Sequence, residues 1–356
     1  MFDVIFDTRL IVPPIKNANY ENLKEFAEKL GDWGKLLEEP WVKIYTNHVF
    51  ETFEKIGFSD YYTEIEKLFL NNGVAYNYSY RDISKLIGEI VQRSKDFEDL
   101  VCIGIECDLE EIIPDIISNS LLPELERELA KTIIILDLFK SQCNKEKENE
   151  RFCLVVKPWQ GSKKVKVRAT ITDFVSLEKE LEIPLPGIFS IKTCMEFRDV
   201  MKILPNEIIC ELWQKAKDKS GLILPTSLAV DKERYIRNKG PLKKDKKTYR
   251  FYKQFYDSQQ KKEIMGDFDL INQTLTTLRR IIEGHEKKWQ IEWEGSQLVR
   301  DRDGAKAYRA SIKFQYKNIH FWQCLDGSIE FAIVAPHDQI FIQSKPEQYI
   351  PFDDSG

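Results

Sequence analysis

Histidine is scarce in this chain of 356 residues, with four copies at positions 48, 285, 320 and 337. Seven cysteines occur without regular spacing and never as Cys-x-x-Cys, so ligand spacing gives no support to a preformed zinc site. Other signatures are missing too: no GxxxxGK[ST] phosphate loop, GxGxxG fingerprint, HExxH helix, EF-hand loop or GxSxG elbow occurs. That removes the motif-based case for P-loop hydrolysis, dinucleotide binding, zinc proteolysis, calcium sensing and serine-hydrolase chemistry. No cofactor or metal is indicated. The longest apolar run, Ile133 to Leu136 with its flanks, is too short to cross a bilayer. Met1 to Pro14 carries Asp3 and Asp7 and lacks a basic n-region and a cleavage site, so it reads as a first strand and not a leader. With an odd number of cysteines, these features point to free thiols and a cytoplasmic protein without a membrane partner.

Apolar residues make up 42% and charged residues 31%, an ordinary globular balance, and a chain this long can bury a core without disulfide or metal staples. The net charge of −5 argues against a uniformly basic nucleic-acid binder. Its distribution is uneven. Asp96 to Glu128 holds eleven acidic side chains against one basic, and Asp231 to Glu263 holds twelve basic against five acidic. The acidic 96–128 stretch could dock a protein partner, while solvated helix faces and a surface loop remain the plainer explanation of both runs.

The patterns predict an α+β protein in three parts: a mainly helical sensor or docking domain over 1–140, an α+β middle domain over 151–236, and an α+β C-terminal domain over 245–356. In the first part, a short strand ends at Pro13-Pro14, and Leu23, Phe26, Ala27 and Leu30 then have helical spacing. Further helices are expected over Val49–Ile56, over Tyr61–Leu70, after a Ser79/Asp82 capping box, and over Leu121–Lys140. Polar Ser141 to Arg151 marks a boundary. Beyond it, Phe152 to Val156 reads as a buried strand. Val165, Val167, Ala169 and Ile171 alternate with Lys164, Lys166, Arg168 and Thr170, which predicts a hairpin with one basic face turning at Gln160-Gly161-Ser162. A linker with Pro184 and Pro186 and two helices follow. The C-terminal part reads as a short aromatic strand, a helix from about Ser258 to Glu283, and a three-stranded antiparallel meander with a hairpin at Asp326-Gly327. A two-residue turn there pairs Leu325 with Ser328, so Trp322 faces Phe331, Gln323 faces Glu330 and His320 faces Ile333.

Two segments could carry chemistry from their N-terminal and central positions. The opening VIFDTRLIV, an apolar strand ending in Asp-Thr, resembles the start of PIN-type nucleases. That resemblance implies a carboxylate-bound divalent metal with Asp7 as one ligand and Asp137 as a possible second, although Arg9 replaces the family's small polar residue. Between 232 and 256, lysines and arginines interleave with Tyr235, Tyr249, Phe251, Tyr252, Phe255 and Tyr256. Such a mixture suits nucleic acid, because cations release phosphate counterions and rings stack on exposed bases. Lys243, Lys244, Lys246, Lys247 and Arg250 are the expected phosphate contacts. A lysine-rich loop followed by a strand with core aromatics is the alternative. RNA is favoured over DNA.

At the C-terminus, AYRASIKFQYKNIHFWQCLDGSIEFAIVAPHD resembles the sheet of RelE/ParE-type toxins, a likeness covering about the last hundred residues. Glu286 to Lys306 is an insertion relative to that family. The resemblance implies metal-independent RNA cleavage, in which Arg309 supplies charge to the phosphorane and His337 acts as base or acid. His320, on the apolar face of the meander, reads as a packed core histidine. The whole suggests a nucleic-acid-directed bacterial effector of toxin or phage-defence type. A non-enzymatic adaptor subunit of a defence or nucleic-acid-processing complex is the alternative.

Overall fold

The computed structural model describes residues 1–15, 17–47, 49–55, 57–113, 123–142, 152–155, 164–176, 181–241, 249–259, 266–312, 316–336 and 342. The architecture is α+β. The chain divides into two compact units, Met1–Leu204 and Pro205–Gly356, where the sequence patterns predict three domains.

The N-terminal unit is built on a seven-stranded sheet. Its strands are β1 (Phe2–Phe6), β2 (Val42–Thr46), β3 (Lys95–Asp96), β4 (Ile103–Ile113), β5 (Phe152–Val155), β6 (Lys164–Ser176) and β7 (Leu185–Cys194), in the order β3-β2-β1-β5-β7-β6-β4. From β3 to β7 all neighbours are parallel, while β6 and β4 continue the sheet antiparallel. Helices cover both faces of the parallel part. Phe6 packs edge-on against Trp33 of α1 (Tyr20–Gly34). Ile5, pointing the other way as strand alternation requires, shares a core with Ile133, Ile134 and Leu136 of α6 (Pro123–Gln142). Helices α2 (Val49–Lys55), α3 (Tyr61–Asn71) and α4 (Tyr80–Arg93) join α1 in a second core around Phe26, Phe53, Phe58, Phe69 and Ile87. The expected cap at Ser79 forms, its hydroxyl accepting from the Asp82 N–H at 3.2 Å. Short α5 (Phe97–Val101) leads from β3 towards β4, and α7 (Phe197–Ile203) closes the unit.

Two expectations are corrected here. The first 140 residues are mainly helix but supply four strands, β1 to β4, where the pattern predicts one short strand. β1 and β2 have five residues each, and both end in three successive buried residues, so they show no alternation to distinguish them from buried helix. β5 and β6 also do not form a hairpin: β5 lies between β1 and β7, and β6 pairs with β7 and β4. The segment read as a proline linker becomes the start of β7, with Pro186 near the strand's beginning, where a missing N–H is tolerated. The Gln160-Gly161-Ser162 turn lies outside the described residues.

The C-terminal unit begins with α8 (Asn206–Gln214) and α9 (Ile223–Ile236). Next come β8 (Tyr249–Phe251), α10 (Lys253–Gln259) and α11 (Phe268–Glu283). The remaining strands are β9 (Trp289–Gln290), β10 (Glu292–Trp293), β11 (Ser296–Gln297), β12 (Lys306–Ile312), β13 (Lys317–Gln323) and β14 (Ile329–Pro336). The expected meander is β12-β13-β14, set in a five-stranded sheet ordered β8-β14-β13-β12-β9, with β8 parallel to β14. Phe251, Phe255, Phe321 and Phe331 form a ring cluster on one face, with Trp213 of α8 edge-on to Phe251 and Phe255.

Candidate nucleic-acid interface

The turn at Asp326-Gly327 sets which side chains reach the second face of the C-terminal sheet. Its ladder closes one residue earlier than a two-residue turn predicts, since the Cys324 N–H donates to the Ser328 carbonyl at 2.9 Å. The loop is therefore Leu325-Asp326-Gly327, with Gly327 at φ 85°, where a Cβ would be strained. This pairs Trp322 with Glu330 and Phe321 with Phe331, one step from the expected register. An extra residue on β14, Ala332, then bulges, and the pairing of His320 with Ile333 returns to expectation.

The shifted register puts Glu330 on the same face as Trp322, where both are fully buried. Glu330 needs counter-charge there and receives it. Arg300 Nη1 donates to its Oε2 at 2.5 Å, as does the Tyr252 hydroxyl at 2.5 Å, while Arg250 pairs with Oε1 and Arg302 lies 3.7 Å from Oε2. Arg300 also stacks over the Trp322 ring at 5.0 Å and donates through Nε and Nη2 to Asp303 at 2.8 and 2.6 Å. Its hydrogen bond holds the Asp303 carboxyl down at about pKa 2. Burial raises the Tyr252 phenol against the opposing pull of the three arginines. Arg300, Arg302 and Asp303 all come from the Glu286–Lys306 stretch that departs from the toxin resemblance. Here that stretch supplies partners for the buried acid.

Next to this cluster, Arg309 pairs across strands with His320 on one side and Trp289 on the other. His320 is fully buried, as expected of a core histidine, and Arg309 is half-buried. Trp289 lies on edge strand β9 and is 39% exposed. Lys287 sits over its ring at 5.4 Å, and Lys288 sits over the Tyr308 ring at 4.2 Å. Both lysines are exposed. Trp289 and Arg309 are thus cross-strand partners on one face of this edge, with Lys287 over the indole, while Tyr308, the residue before Arg309 on β12, faces the other way with Lys288 over its ring. Cations can meet phosphates there while a base stacks on the indole.

The expected site residues are only partly brought together. Lys243, Lys244, Lys246, Lys247 and His337 lie outside the described residues. Arg250 is committed to Glu330, and the aromatics beside it belong to the core: Phe251, Tyr252 and Phe255 are buried, and burial pushes the Tyr249 phenol up to about 12. The core alternative therefore holds for these rings. Lys287, Lys288, Trp289 and Tyr308 were missed, although Lys-Lys-Trp stands plainly in the sequence. Reading Glu286 to Lys306 as an insertion hid its place along a strand edge.

The N-terminal carboxylates do not assemble as the PIN resemblance implies. Arg9 Nε donates to Asp7 Oδ2 at 2.8 Å and Arg9 Nη2 donates to the same oxygen at 2.6 Å, so a guanidinium occupies that carboxylate. Asp137 lies further along α6 and accepts from the Ser190 backbone, its carboxyl raised by burial. Among the described residues no three His, Cys, Asp or Glu side chains are grouped to hold a metal ion. Also among them, no helix is long and apolar enough to cross a membrane. Compared with protein families, curated proteins and solved structures, the chain has no match.

Proposed function

We propose that this protein is a nucleic-acid-directed effector of toxin or phage-defence type, that its C-terminal unit is the working end, and that its ligand is RNA in single-stranded form. The observation that carries the reading is the β9 edge, where exposed Trp289 stands beside Arg309 and Lys287, with Lys288 on the other face of the same edge. Aromatic stacking is tolerant of base identity, and the cations supply a salt-sensitive attraction to the backbone. Single strands are favoured because a lone indole on a strand edge can stack only on a base that has left a duplex. Any cleavage on this reading is metal-independent, with Arg309 stabilising the phosphorane and His337 transferring the proton.

The test is fluorescence anisotropy with labelled single-stranded RNA, single-stranded DNA and duplex RNA. Tight binding of the first, weakened roughly tenfold or more by Trp289→Ala, supports the reading. No binding at low salt, or binding indifferent to Trp289→Ala and Lys288→Glu, overturns it. His337→Ala should abolish cleavage while leaving the binding intact.

A second reading, the adaptor, is favoured by β4. This eleven-residue strand lies at the edge of the N-terminal sheet and exposes Glu106, Asp108, Glu110 and Glu111. Lys131 and Arg168 neutralise Glu106 and Glu111 only in exposed pairs at 2.9 and 3.3 Å. A basic partner would meet this strand. Charge reversal on it should break the complex and spare RNA binding.

A further inference from the structure

The C-terminal unit holds a groove of about 290 Å³ between α8, α9 and α11, and none of the β9-edge residues lines it. A cavity of about 150 Å³ holds benzene, so this space can take a ring and a charged group together. Its two long walls are built alike. α9 contributes Ala229, Lys232, Glu233 and Ile236, and α11 contributes Asn272, Leu275, Thr276 and Arg279. Both sets are spaced i, i+3, i+4, i+7, which is one stripe along an α-helix. The two helices run parallel, since Arg279 pairs with Glu233 and Arg237 lies 4.0 Å from Glu283, one turn further along each. Asn206 and Ile209, near the start of α8, form the third side.

Two contacts tie these walls together. Arg279 Nη1 meets Glu233 Oε2 at 2.5 Å, joining α11 to α9. Lys232 Nζ donates to Asn206 Oδ1 at 2.6 Å, joining α9 to α8. Glu233 is shared, because its other oxygen, Oε1, meets Arg237 Nη2 at 2.8 Å. Among the described lining residues, Lys232 and Arg279 thus outnumber the one acid, and that acid is already held by two guanidiniums. Arg279 Nε is buried and has no hydrogen-bond partner, on a side chain only 12% exposed. Buried donors are nearly always paired, so an unpaired one on a groove wall points to an acceptor that binds there.

The chemistry of the walls selects the ligand. Nε lies on the edge of a guanidinium that receives a carboxylate or phosphate through two parallel N–H bonds. Asn272 and Thr276, on the same stripe as Arg279, can each donate as well. A cationic ligand would face Lys232 and Arg279 while both oxygens of Glu233 are engaged. Ile209, Ile236 and Leu275 offer an apolar surface to the rest of a bound molecule. We propose that this three-helix groove binds a small organic anion, its carboxylate or phosphate meeting Arg279 and Lys232 and its body lying on Ile209 and Leu275.

The full chain would be titrated calorimetrically at constant physiological salt with benzoate, phenyl phosphate, inorganic phosphate and benzyl alcohol. The expected result is saturable binding of benzoate or phenyl phosphate, the tighter of the two naming the oxyanion. Inorganic phosphate, which lacks a body, and benzyl alcohol, which lacks a charge, should each bind about tenfold or more weakly than it. Arg279→Gln and Lys232→Gln should each weaken binding about tenfold or more. Ala229→Leu, which narrows the groove and keeps both cations, serves if either variant loses its native circular dichroism. Trp289→Ala should bind the anion as the parent does, which separates this groove from the edge assigned to RNA. The proposal is overturned if neither organic anion binds saturably, or if inorganic phosphate or benzyl alcohol binds as tightly. Binding that none of the groove variants weakens, or that Trp289→Ala abolishes, overturns it equally.

Discussion

Glu330 shows how one side chain can organise a region. Its carboxylate is fully buried and is met by Arg250, Arg300, Arg302 and the Tyr252 hydroxyl. Removing the acid leaves Arg300 with only Asp303, about one-third exposed, as counter-charge, and breaking such a buried pair costs about 3–5 kcal/mol. Glu330→Gln should therefore lower stability by that order in urea unfolding, while Arg302→Gln, whose side chain is a third exposed, should do far less. Asp303 adds a pH term of known sign. Its carboxyl is held at about 2, below the ordinary value near 3.8, so its contribution is present above about pH 4 and lost as pH falls towards 2. Urea midpoints measured from pH 5 to 2 should fall less in Asp303→Asn than in the parent over that window. The cysteines give a third check. Cys102 is exposed, whereas burial pushes Cys210 up to about 12 and raises Cys153 and Cys107. A thiol reagent at pH 8 should modify Cys102 quickly and Cys210 only on unfolding, and Cys102→Ser should remove one fast equivalent.

At the scale of elements, the α+β class, the meander and the caps were legible because each has a local cause. Ser79 and Asp82 stand three apart before apolar helical spacing, and Asp326-Gly327 separates two strand-like runs. The register near that turn was not legible. A three-residue loop shifts it by one, and the bulge at Ala332 shifts it back. Nothing about an alanine in an apolar run marks a bulge, so His320 was placed correctly and Glu330 was not. The parallel strands were hidden for a related reason: being covered on both faces, they lose the alternation that reveals a strand. The loop itself can be tested. Gly327 sits at φ 85°, so Gly327→Ala should cost about 1 kcal/mol in urea unfolding, and Gly327→Asn less, since asparagine tolerates a left-handed backbone better. Equal costs would mean that the loop does not depend on that backbone conformation.

For the whole molecule, the net charge of −5 sets a constraint on the RNA reading. A chain that is negative overall gains nothing from its average field when it approaches a polyanion, so attraction has to come from a local group of cations. At the β9 edge that group is Lys287, Lys288 and Arg309, and its size fixes how steeply salt should weaken binding. Each phosphate neutralised on a single strand contributes about −0.7 to the slope of log K against log salt, so three contacts predict a slope of roughly −2. Replacing Lys287 and Lys288 together by alanine should flatten it to about −0.7. Trp289→Ala should instead weaken binding at every salt concentration and leave the slope alone, because stacking releases no counterions. The same slope should appear in a Pro205–Gly356 fragment if the interface belongs wholly to that unit. A slope much steeper than −2 in the full chain would assign most phosphate contacts to cations elsewhere, with Lys243, Lys244, Lys246 and Lys247 the first to replace.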